Sequence, residues 1–264
     1  MAFFDADKAV NNSELKELEI LGKKVEVNEK KGILYLSRDD ITIELTGIFE
    51  ERKNGKIEGT VTQIACKTGD DEPTWDISGM SYDFEKLFTR IDDGKREKVI
   101  QDIFGKKDDI WGSHFDDQLY GFKGNDHVVG WNGNDRINGG PGKDKLTGDA
   151  TGDDINNGNL WDDTFVFNSE LKSHNIDKIT DYSIGHDIIE LSRKIFSGFE
   201  KGHLHESRFV ISKHAVGEDD PQIIYRKVKG HILYDPDGTG PEEAMKFARV
   251  DRDKPLTHED FIVV

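Results

Sequence analysis

The sequence predicts a mainly β protein: a parallel β-roll flanked by a β-rich N-terminal domain and a β-sandwich-like C-terminal cap. Two observations predict it. Aspartate recurs every nine residues through 103–156, and short alternating apolar runs of the kind that form strands occupy the chain on both sides. The expected division is 1–102, 103–156 and 157–264.

In the first region, residues 24–27, 33–36, 41–45 and 57–66 read as strands, and Asn54-Gly55 between two of them is a hairpin signal. Residues 82–91 and 95–104 have the spacing of two short amphipathic helices. In the third region, residues 164–167, 209–211, 223–225, 232–234 and 261–264 read as strands separated by turns rich in Asp, Gly and His.

The middle region holds 11 of the 27 glycines. Asp108, Asp117, Asp126, Asp135, Asp144 and Asp153 are nine apart, and an aliphatic follows each by two: Ile110, Leu119, Val128, Ile137, Leu146 and Ile155. The residues around each aliphatic suit a short strand, and the glycine-rich stretch before it suits a tight turn. Two repeats complete one coil, so coils stack at roughly 4.8 Å and each repeat neighbours the one eighteen residues away. One edge then aligns Asp108, Asp126 and Asp144, and the other Asp117, Asp135 and Asp153.

Such stacks repel, at roughly 1 kcal/mol for two carboxylates about 5 Å apart even in water. A hard divalent cation held by aspartates and turn carbonyls cancels that repulsion. Calcium suits a flexible shell of oxygens, whereas zinc would want His or Cys at fixed spacing, which these turns lack. The expected metal-binding set is Asp108, Asp117, Asp126, Asp135, Asp144 and Asp153, with the turn glycines Gly121, Gly124, Gly130, Gly133, Gly139 and Gly142.

The pattern resembles the RTX, or hemolysin-type, repeat GGxGxDxUx. Residues 139–147, Gly-Gly-Pro-Gly-Lys-Asp-Lys-Leu-Thr, match it fully; 130–138 and 121–129 lack only the second glycine, where Trp131 and Phe122 stand. The resemblance implies a calcium-stapled right-handed β-helix. Residues 176–192 are similar to the segment that follows the roll in serralysin-type and alginate-epimerase modules, with Asp177, Asp181 and Asp187 as possible further oxygen ligands. The ending Glu259-Asp260-Phe261-Ile262-Val263-Val264 resembles the uncleaved signal of type I exported proteins and equally reads as a final strand. These resemblances imply a secreted, extracellular bacterial protein that passes through a type I secretion apparatus.

Composition agrees with a cation binder. The net charge of −17 disfavours nucleic acid and anionic surfaces at long range, and the lone Cys66 excludes an intrachain disulfide. No apolar run approaches the length of a membrane helix, and the start of the chain has no signal-peptide pattern. No catalytic motif is present: His205-Glu206 lacks the second histidine of His-Glu-x-x-His, and Gly-x-Ser-x-Gly is absent. The expected role is therefore non-catalytic calcium binding. The alternatives are a calcium-dependent module for extracellular polysaccharide, suggested by Trp111, Tyr120, Phe122 and Trp131, and a membrane-active RTX protein.

Overall fold

The computed structural model describes residues 2–6, 26–28, 33–38, 41–51, 57–68, 73–149, 161–217 and 219–264. At its centre two parallel stacks of short strands face each other. Asp109–Trp111, His127–Trp131, Lys145–Asp149 and Asp177–Ile179 stack in that order in one sheet; Gln118–Tyr120, Arg136–Asn138, Thr164–Phe167 and Ile188–Leu191 stack in the other. The chain alternates between them, as a nine-residue half-coil requires. Ile110, Leu119, Val128, Ile137 and Leu146 are fully buried between the sheets. Each such side chain contributes roughly 2–3 kcal/mol by burial.

Asp153 and Ile155, expected to form the sixth half-coil, lie outside the described residues. Phe165 stands in register with Ile137, the position assigned to Ile155, and Ile189 follows Phe165. The coil therefore extends past residue 156 through strands of the C-terminal region.

On the N-terminal side, Phe3–Ala6 lies parallel to Asp109–Trp111 and antiparallel to Pro73–Ser78. It joins the roll to an antiparallel meander of Pro73–Ser78, Ile57–Thr68, Ile41–Glu51, Ile33–Arg38 and Glu26–Asn28, giving one fifteen-stranded sheet. Asn54-Gly55 lies outside the described residues, and the strands beside it pair from Glu51 opposite Ile57. The two expected helices are Phe84–Asp92 and Arg96–Ile103. The Asp83 side chain accepts the Lys86 N–H at 2.7 Å and so caps the first. Leu87, Val99, Ile100 and Phe104 bury the inner faces of this pair.

The C-terminal cap continues both sheets. Phe261–Val263 lies parallel to Ile188–Leu191, and Met245–Arg249 parallel to Asp177–Ile179. Beyond the latter, His231–Asp235 and Gln222–Arg226 run antiparallel. Edge-to-face contacts of Phe247 with Phe196 and Phe167, at 4.9 and 5.1 Å between centroids, fill the space between the layers.

Candidate metal centre

Asp108, Asp117, Asp126, Asp135 and Asp144 are each buried at the turn just before a strand. Their main chain is tied to the next coil: the Asp108, Asp126 and Asp144 carbonyls accept from the His127, Lys145 and Lys178 N–H groups at 2.8–2.9 Å. In return, one carboxylate oxygen of each aspartate accepts the backbone N–H of the aspartate one coil earlier. On one edge Asp126 accepts from Asp108, Asp144 from Asp126, and Asp177 from Asp144, at 2.8, 2.8 and 3.0 Å. On the other, Asp135 accepts from Asp117, Asp163 from Asp135, and Asp187 from Asp163, at 2.8, 2.9 and 3.1 Å. The Ala2 N–H donates to Asp108 at 2.5 Å, so the N-terminal strand supplies the donor that a preceding coil would have supplied.

The second carboxylate oxygens set the chemistry. Oδ2 of Asp108, Asp126, Asp135, Asp144 and Asp163 is buried and has no hydrogen-bond partner. An orphaned carboxylate oxygen is costly unless protonated or bound to a cation. Burial raises these carboxyls, the accepted N–H opposes the rise, and stacked aspartates add to it for Asp126, Asp135 and Asp163. Asp126 and Asp163 are pushed up to about 8, Asp135 to about 9 and Asp144 to about 7. Where the ladder ends, N–H groups take the place of the missing partner: Ser113 donates to Oδ2 of Asp117 at 2.5 Å, and Ser183 to Oδ2 of Asp187 at 2.7 Å.

The turn glycines complete a cradle. A Cβ on Gly121 would stand 3.0 Å from Oδ2 of Asp126 and 2.4 Å from the Gly139 carbonyl oxygen. A Cβ on Gly130 would stand 2.1 Å from Oδ2 of Asp135 and 2.8 Å from the Gly148 carbonyl oxygen. The pattern is the glycine, the carboxylate five residues on, and the carbonyl eighteen residues on. Gly139 faces Oδ2 of Asp144 in the same way, and Gly148 faces Oδ2 of Asp163. At Gly124 and Gly142 the carbonyls of Lys106 and Gly124 approach to 2.0 and 1.8 Å of the Cβ position. Close approach of oxygens, more than backbone angle, is what excludes a side chain at these sites. The second position of the repeat is different: Gly140 has φ +85°, and Phe122 and Trp131, in the equivalent places, adopt φ 67° and 82°.

This donor set fits a hard cation. It consists of carboxylate and carbonyl oxygens with no imidazole or thiolate, and among the described residues no three His, Cys, Asp or Glu side chains converge on one point. The pair His203 and His205 has no such third ligand among the described residues, and Nδ1 of His205 lies 2.8 Å from the Ser207 hydroxyl. A model of the RTX calcium-binding nonapeptide repeat, in four copies, matches residues 104–137 and 132–159. The coil is a calcium-binding RTX β-roll. The comparison with curated proteins gives no match. Two similar solved structures are the AlgE6R3 and AlgE6R2 subunits of the Azotobacter vinelandii mannuronan C5-epimerase, each 21% identical. The first covers 60% of this chain and 78% of its own with a TM-score of 0.38, the second 58% and 91% with 0.33.

Five of the six expected aspartates of the RTX roll stand in the two ladders, and Asp153 lies outside the described residues. Asp163 holds the rung beside Asp135. Periodicity missed it because Gly148 and Asp163 are fifteen residues apart instead of five. The surviving signal is the spacing of Asp to buried apolar residue: Asp163 and Phe165, Asp177 and Ile179, Asp187 and Ile189. A further ladder was also missed. Side-chain oxygens of Asp116, Asn125 and Asn134, each just before a motif aspartate, accept N–H groups of Asn134, Lys143 and Asp162 at 2.8–2.9 Å.

Proposed function

We propose that this chain is a secreted, non-catalytic protein whose RTX roll completes its folding when calcium binds outside the cell. The observation that carries the reading is the row of buried, unpartnered carboxylate oxygens on Asp126, Asp135, Asp144 and Asp163, each beside a first-position glycine. In this reading those four aspartates hold about four ions, with carbonyls such as those of Gly139 and Gly148 and with the open turns at Gly121, Gly124, Gly130, Gly133, Gly139 and Gly142. Asp108 and Asp117 close the N-terminal ends of the two ladders. Bound calcium supplies positive charge and accepts oxygen ligands, and the residues position those oxygens and exclude water.

Extracellular calcium modules bind with Kd of roughly 10⁻⁴–10⁻³ M, well above the concentration expected inside a cell. The chain would therefore be unfolded and threadable before export and folded after it. The C-terminal strand supports this order. Phe261 and Val263 are fully buried in the folded cap, so a signal there is accessible only before folding. Circular dichroism during a calcium titration, with calorimetry to count ions, tests the reading. A roll fully formed in excess chelator, or no ions bound at millimolar calcium, would overturn it.

A second reading adds extracellular polysaccharide as a partner. Trp111 and Trp131 lie side by side on the outer face of the roll, 6.0 Å between ring centroids, with Trp111 39% exposed. Retention on a polysaccharide column in calcium but not in chelator checks it. For a membrane-active role nothing comparable is found: no helix among the described residues is long and apolar enough to cross a membrane.

A further inference from the structure

The C-terminal cap carries charge that is sorted by strand end. Gln222–Arg226, His231–Asp235 and Met245–Arg249 are antiparallel neighbours. Arg226 stands opposite His231 and His231 opposite Arg249 at one end, and Gln222 opposite Asp235 at the other. The first end holds Arg226, Lys227, Lys229, His231 and Arg249; the second holds Asp235 and Asp237 with the exposed Glu242 and Glu243. His231 is held below its usual value first by burial and then by Lys246, Lys229, Arg226 and Arg249. The five residues of His231–Asp235 separate the two ends by roughly 17 Å.

The basic end holds an open groove of about 620 Å³. Ile211 closes the edge strand Phe209–Ile211 and stands opposite Tyr225, which places it at this end. It lines the groove together with Val228 of the turn, and the two are 56% and 75% exposed. Lys213, Arg226, Lys227 and Lys229 surround them, and no acidic residue lines the groove. Among the described residues no carboxylate lies within ion-pair distance of these four cations; Asp251 reaches Lys178 instead, at 3.9 Å, and Asp220 pairs with Arg208 at 2.9 Å. The groove is preformed: Nε of Arg226 donates to the Lys213 carbonyl at 2.9 Å, and Nε2 of Gln222 donates to the Val216 carbonyl at 2.6 Å.

The acidic end offers what such a groove takes. Glu242 and Glu243 are exposed, and Met245, two residues on, is 40% exposed. Two carboxylates beside an adaptable apolar side chain match cations around an apolar floor. This loop is also fixed: the Asp237 carboxylate accepts the Glu242 N–H at 3.0 Å, and the Thr239 hydroxyl donates to Asp219 at 2.8 Å. Because the two ends lie on opposite sides of the same hairpin, a loop cannot fill the groove of its own chain. At physiological ionic strength charges further apart than about 8 Å are screened, so the charges within the contact count for more than the net charge of −17.

We propose that the cap carries a self-association surface, in which the 242–245 loop of one copy docks in the groove between Ile211 and Val228 of a second copy. The contact is smaller than the roughly 1,200–2,000 Å² of a stable interface, so the association is weak and grows with concentration. Sedimentation of the full chain in millimolar calcium and about 0.15 M salt, from roughly 10 µM to 1 mM, should show a mass rising above that of a monomer. Lys227→Glu/Lys229→Glu should weaken association at least about tenfold, and so should Glu242→Lys/Glu243→Lys, because each brings like charges together. Mixing the two variants should restore it, since the intact loop of the first meets the intact groove of the second. By circular dichroism both variants should keep the calcium midpoint of wild type. Val228→Ser, at an exposed side chain, serves if a charge-reversed variant does not fold, with a loss of roughly tenfold. Wild type that stays monomeric throughout, variants that associate as wild type does, or a mixture that stays monomeric while both variants are folded would overturn the proposal. So would a wild-type monomer that binds phosphatidylglycerol vesicles through Val228, which would make a membrane the occupant of the groove.

Discussion

Asp135→Asn separates the two states of the roll. Asp135 is 1% exposed; one oxygen accepts the Asp117 N–H, and the other is the orphan facing Gly130. Burial pushes its carboxyl from 3.8 to about 9, so at pH 7 the metal-free fold must take up a proton that the unfolded chain does not carry. The difference between pH 7 and 3.8 corresponds to about 4 kcal/mol of lost stability. Asparagine keeps the acceptor for Asp117 and has no proton to take up. The metal-free fold of the variant should therefore be favoured over that of wild type by up to about 4 kcal/mol, so in chelator the variant should show more strand signal than wild type. It also loses a charged ligand, so its gain on adding calcium should be smaller by about 2.7 kcal/mol per site lost at 100 times Kd. Asp135→Ala should behave differently, because it leaves the Asp117 N–H unsatisfied at a cost of roughly 1–3 kcal/mol. Circular dichroism spectra in chelator and thermal melts in calcium measure all three proteins. A metal-free Asp135→Asn variant no more stable than wild type, with an undiminished calcium response, would refute the reasoning.

Further outcomes follow from the same geometry. The raised carboxyls mean that the metal-free fold binds more protons than the unfolded chain between about pH 4 and 8–9. Its stability should fall as pH rises through that window, so circular dichroism in chelator should show strand signal growing as the pH is lowered from about 8 to about 5. Asp116→Ala removes one exposed hydrogen bond from Asn134, so it should cost about 1 kcal/mol and leave the calcium midpoint nearly unchanged. Gly140→Ala places a Cβ 1.9 Å from the Phe122 carbonyl oxygen at φ +85°, and should lower stability by roughly 1–3 kcal/mol or more in a denaturant titration. Deleting residues 261–264 should abolish export through a type I apparatus while leaving expression intact; truncated protein in the medium at normal levels would show that the signal lies elsewhere.

The local sequence was enough to specify the rung of this roll. Aspartate two residues before a buried aliphatic, repeated every nine residues, puts Asp108, Asp126 and Asp144 on one edge and Asp117 and Asp135 on the other, because identical half-coils must stack in register. It also identified calcium, since carboxylates brought that close demand a cation. Only the tertiary structure decided which residue comes next. Strand register is set by packing Phe165 beside Ile137, whereas lengthening the intervening loop costs little entropy, so a break in spacing moved the rung to Asp163 without breaking the ladder. The capping of the roll by Phe3–Ala6 is likewise a long-range pairing that residues 2–6 do not announce. The cap is the extreme case. Met245–Arg249 and Phe261–Val263 become neighbours of Asp177–Ile179 and Ile188–Leu191 only because strands some seventy residues apart pair in one register, a relation that no local spacing records.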